Sequence, residues 1–195
     1  MKRILVLAGL AMCAGAHASF ELLLAADYGK GVVHRFDGDS GAYFGSFGQG
    51  AVPSAGGVYA EKSTGRAYFS NFFANTISVF NYSTGGFVNS FATSLNGVRS
   101  IRALEGAFAG QVLVISSGTV LRGVLSPTGF SSLASYDAAG LGQGMTQAPN
   151  GRLLMGSLNG TVRVIDQNGT LVSTSSVLPN FLSSDVIGSI EMVGN

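Results

Sequence analysis

One phrase limits what this chain can fold into. Val33 to Phe47, VHRFDGDSGAYFGSF, alternates apolar and polar residues, breaks at Asp-Gly-Asp-Ser-Gly, then alternates again. That pattern is a β-hairpin closed by turn-forming residues. It returns as SVFNYSTGGFVNSF, RGVLSPTGFSSL and VRVIDQNGTLVS. Aligned on the last apolar residue before the turn, the anchors are Phe36, Phe80, Val124 and Ile165, spaced by 44, 44 and 41 residues. The third copy is the weakest, with Gly123 inside it and Pro127 in its turn.

Each hairpin follows an apolar strand ending at Asp27, Asn71, Ser117 or Ser157. Ahead of the later copies stands a glycine with a short apolar strand: Gly57-Val58-Tyr59, Gly97-Val98-Arg99 and Gly144-Met145-Thr146, with Gly188-Ser189-Ile190 left over at the end. Four short strands in about 44 residues is the content of one propeller blade. The expectation is an all-β propeller of about four four-stranded blades, near 19–48 plus 184–195, 54–92, 96–136 and 140–178. The C-terminal strand, Ile187 to Val193, is expected beside the N-terminal strand ELLLAAD, completing the first blade and closing the ring. Closure removes exposed strand edges, and this gives it a physical motive.

The start of the chain reads as an address. Met1-Lys2-Arg3, the apolar run ILVLAGLAMCAGA and Ala16-His17-Ala18 have the layout of a secretory signal peptide cut after Ala18. The run is too short for a membrane span. The expected location is secreted or periplasmic, and the mature chain has 177 residues and no cysteine. That excludes disulfides, thiolate nucleophiles and cysteine metal sites. The mature chain carries 9 basic and 10 acidic residues with no basic run, which speaks against a nucleic-acid partner.

The phrase LLLAADYGKGVVHRFDGDSGAYFGSFG resembles the NHL and YVTN-type propeller repeats, in which an Asp or Asn ends the second strand and a Val-x-x-Phe-Asp strand follows. The resemblance covers the first two units best. It implies a propeller with a binding habit and implies no reaction.

Candidate sites are few. Asp37 and Asp39 are spaced like the start of a calcium loop but lack the further ligands that complete one, so they read as a turn. No metal and no cofactor is expected. His34 is the one histidine outside the leader, and Ser78 holds its place in the next copy, which marks a repeat position. Arg99 and Arg102 fall in a first strand whose counterparts are uncharged, where they would bind an anion or a sugar hydroxyl, or pair with Glu105 or Glu191. Phe72 and Phe73 are adjacent aromatics in a loop where other copies hold Tyr28-Gly29 or Leu158-Asn159. Such a pair suits a protein or carbohydrate partner. Asp27, Tyr28, Asn71 and Asn159 are expected to rim the same face. The sparse acids and single histidine favour a monomeric, non-enzymatic binding module over a lyase or lactonase at the axial face, or a structural surface component.

Overall fold

The computed structural model describes residues 22–116, 118–137, 141–148, 150–157 and 161–176. Among the described residues fifteen strands form four sheets. The first holds β1 (Leu22–Asp27), β2 (Val32–Asp37) and β3 (Tyr43–Phe47). The second holds β4 (Ala55–Glu61), β5 (Arg66–Asn71), β6 (Thr76–Asn81) and β7 (Phe87–Ala92). The third holds β8 (Ser100–Ala103), β9 (Val112–Ile115), β10 (Thr119–Ser126) and β11 (Gly129–Asp137). The fourth holds β12 (Leu141–Gln147), β13 (Leu153–Ser157), β14 (Thr161–Ile165) and β15 (Leu171–Ser176). Neighbours in each sheet are consecutive in sequence, as tight turns dictate.

The strands group into two compact units. One contains the described residues up to Val98 with Pro127–Gly129, and the other contains the remainder. In the first unit, β5 and β6 are buried on both faces, which explains their near-continuous apolar runs. β7, FVNSFA, has no buried residue and is mostly exposed. Phe47, Phe69 and Phe80 pack with ring centroids 5.2–5.9 Å apart, edge to face. Around them lie Leu24, Val33, Val52 and Ala67. The Tyr82 hydroxyl accepts from Leu22 N at 3.2 Å and donates to Leu22 O at 3.0 Å, tying the start of β1 to the turn after β6. The second unit is centred on Leu113, Ile115, Val120, Tyr136, Met145, Leu153, Met155 and Ile165.

Two local devices repeat with the sequence. The first is the turn chemistry. Asp37 Oδ1 accepts from the amides of Asp39 and Ser40 and the Ser40 hydroxyl. Asn81 Oδ1 does the same for Ser83 and Thr84, and Asp166 Oδ1 for Asn168 and Thr170. These carboxylate and amide oxygens therefore close turns. The second is a bulge just before three of the four anchors: between Arg35 and Phe36, Val79 and Phe80, and Val164 and Ile165.

Some expectations shift. β8 begins at Ser100, so Arg99 precedes the strand, though its amide still donates to Ile115 O at 2.8 Å. Three strands, not four, are described in the first sheet. The leader, Asn159, Glu191 and the stretch Ile187 to Val193 expected beside β1 lie outside the described residues. Among the described residues no helix is long and apolar enough to cross a membrane.

Candidate functional site

The turn after β1 and the turn after β5 carry the aromatic residues. The first turn is closed by Gly31 N donating to Asp27 O at 2.9 Å and by Lys30 N donating to Asp27 Oδ1 at 3.0 Å. It holds Tyr28 out, 44% exposed. The second is fixed by Ser54: Phe72 N donates to its carbonyl and Phe73 N to its hydroxyl, each at 2.9 Å. Phe73 is 73% exposed, while Phe72 is half-buried. The Phe72 and Phe73 rings meet edge-on at 5.0 Å, and Tyr28 meets Phe73 at 6.1 Å. Residues from two separate turns thus make one exposed aromatic cluster.

Asn71 does not rim it. The side chain is buried, with Nδ2 donating to Thr76 Oγ1 and Ser78 Oγ at 2.9 Å each. Ser78 in turn donates to Ala51 O. Asn71 is therefore part of the packing between strands. Arg102 sits within β8, opposite Leu113 and half-buried, in the other compact unit from the aromatic cluster. Arg99 belongs to that unit too.

Asp27 and His34 occupy in the first sheet the places of Asn71 and Ser78 in the second. Asp27 Oδ2 lies 3.3 Å from His34 Nε2, and His34 Nδ1 lies 3.2 Å from the Tyr43 hydroxyl. Sequence reasoning passed over this chain of three groups because it depends on the bulge in β3. The bulge sets Tyr43 opposite Phe36, on the His34 side of the sheet. The hydroxyl on the far ring nitrogen is a phenol and not a serine, so the chain can relay a proton but does not match a serine nucleophile.

Partial burial disfavours the charge on Asp27, but the Lys30 amide, the His34 ring and the Gly29 amide outweigh it and hold the carboxyl below its ordinary value. The Ser40 hydroxyl and amide do so for Asp37, and the Thr170 amide leads for Asp166. A carboxyl held below its unfolded value stabilises the fold above that value and stops doing so as pH falls through the folded one. Through these carboxylates the melting temperature is expected to fall below about pH 4. Circular dichroism melts between about pH 5 and 3 check it, and a rise over that range would contradict it.

A shallow pocket of about 330 Å³ is lined by Leu22, Arg35, Phe44, Tyr82 and Ser83 and includes none of the candidate residues. Among the described residues no group of three or more His, Cys, Asp or Glu side chains is placed to hold a metal ion.

No protein-family model matches the chain, and no curated protein matches it. Solved structures do. The β-propeller domain of Cps50 (Swd1) from Myceliophteria thermophila aligns with a TM-score of 0.61 at 9% identity, over 88% of this chain and 55% of that one. The computationally designed Ika8 protein aligns with a TM-score of 0.59 at 15% identity, over 92% of this chain and 52% of that one. At such identities the likeness shows fold alone, and the fold is that of a β-propeller. The chain spans about half the length of the solved structures it matches.

Proposed function

We propose that this chain is a secreted or periplasmic binding module that holds a carbohydrate on Tyr28, Phe72 and Phe73. The observation that carries the reading is the cluster of three rings built from two turns, with Tyr28 and Phe73 exposed and Phe72 half-buried. Nothing in the packing of the strands requires Phe73 at 73% exposure. Exposed rings gather where something covers them. A sugar suits the chemistry here: its C–H face lies on a ring, and its hydroxyls meet the Asp27 carboxylate and the exposed Lys30 at the edge. The likeness of the repeat phrase to NHL and YVTN-type repeats supports a binding role, and the leader supports export.

The test is the double variant Tyr28→Ala, Phe73→Ala, examined by a glycan-array screen and a denaturation curve. Both side chains are exposed, so stability should change by about 0.5 kcal/mol or less for each. Binding to any glycan found for the wild type should fall about 30-fold or more, as for truncated aromatic hot spots. A variant that binds as the wild type does, or a wild type that binds proteins and no glycan, overturns the reading.

A further inference from the structure

We infer that the Asp27–His34–Tyr43 chain makes the aromatic cluster proton-sensitive, binding more firmly on the acid side; this rests on the proposed binding role of that cluster. The cluster and the chain share one turn. Asp27 Oδ1 accepts from Lys30 N and thereby shapes the turn that carries Tyr28, while its other oxygen, Oδ2, faces His34. The carboxylate therefore stands between the imidazole and the aromatic platform.

The donor assignments follow from chemistry. An ionised carboxylate only accepts, so neutral His34 carries its proton on Nε2, toward Asp27, and Nδ1 accepts from the Tyr43 hydroxyl. On protonation both ring nitrogens donate, and the phenol rotates to accept. The Asp27 contact becomes charge-assisted, roughly twice as strong as a neutral hydrogen bond. The two side chains are 23% and 19% exposed, so solvent screens the pair only in part. Across the sheet His34 stands opposite Ala25 of β1 and Ser46 of β3, neither of which titrates. The titratable groups that meet it are Asp27 of β1 and Tyr43 of β3, with Lys30 of the turn acting through Asp27.

The second sheet shows that the fold does not need a titrating pair here. Asn71 and Ser78 make the same strand-to-strand bond at 2.9 Å, with no group that changes charge near neutral pH. Histidine is the side chain that changes charge between about pH 5 and 8. A firmer Asp27 contact steadies the Lys30 bond and with it the position of Tyr28 against Phe73.

The experiment needs no ligand. Proton NMR of the full chain from about pH 5 to 8 follows the His34 ring, the Lys30 amide and the Tyr28 ring. All three are expected to share one midpoint, and in His34→Gln the Lys30 and Tyr28 signals are expected to stay level. His34→Ser, which installs the residue of the second sheet, replaces the glutamine variant if that one does not fold. Lys30 and Tyr28 signals that stay level in the wild type, or that still titrate without His34, overturn the inference. In the Tyr28→Ala, Phe73→Ala variant the Lys30 amide should still follow His34, so failure of the binding role and failure of the coupling give different results.

Discussion

Phe69→Ala is expected to lower the stability of the fold by about 3–5 kcal/mol, the range for a buried phenylalanine cut back to a methyl. Phe69 is fully buried, in the middle of β5, and its ring touches Phe47 and Phe80 at 5.9 and 5.5 Å. Phe47 comes from the first sheet and the other two from the second, so the ring triad joins the sheets of that unit. The neighbours cannot collapse into the space, because β5 is hydrogen-bonded to β4 on one side and β6 on the other. That figure already contains the loss of the two edge-to-face contacts, each worth about 0.5–1.5 kcal/mol beyond area. Domains of this kind hold about 5–15 kcal/mol in all, so the variant should approach the unfolding threshold at room temperature. Urea denaturation followed by circular dichroism measures it. A loss under about 1 kcal/mol, the size of a surface change, would show that Phe69 is not in a packed core.

The repeat was legible because its marks are local. A turn needs Asp, Asn, Ser or Gly at set offsets, and the Asx bonds of Asp37, Asn81 and Asp166 are the physical reason those residues recur. Strands buried on both faces announce themselves as apolar runs, and β1, β5 and β9 do so. The exposed Phe73 was also legible, since a residue unmatched in the other copies has no duty in the repeat. Asn71 was misread for the opposite reason. Its type suits a polar rim, and only the cross-strand register shows that Ser78 takes its amide inside. The Asp27–His34–Tyr43 chain stayed hidden because it joins three strands through a bulge. Without the extra residue Phe44, Tyr43 would face the other side of the sheet.

Gly123→Ala is expected to destabilise the fold by about 1–3 kcal/mol, the usual range of overpacking costs, and the sign of this effect discriminates between two accounts of the residue. In sequence Gly123 merely interrupts the third hairpin. A glycine inside a strand costs roughly 0.5–1 kcal/mol against alanine, so on that view alanine is an improvement. In the structure Gly123 is buried in β10, paired with Val112 of β9 on one side. On the other side a methyl group would run into the backbone carbonyl of Ser131 and come within 2.7 Å of the Phe130 ring. A flexible side chain could turn away, but a carbonyl held in the adjacent strand cannot without moving the ladder. The close approach of β11 is therefore what the glycine permits, and it explains why the third copy departs from the others at this place. Gly129, at the start of β11, supplies the control, since a methyl there meets open space. Gly129→Ala should leave stability level or slightly raised, and the two variants compared in parallel urea titrations separate a steric requirement from a general glycine effect. If Gly123→Ala is as stable as the wild type, β10 and β11 do not approach as closely as this structure has them, and the weak third repeat needs another cause.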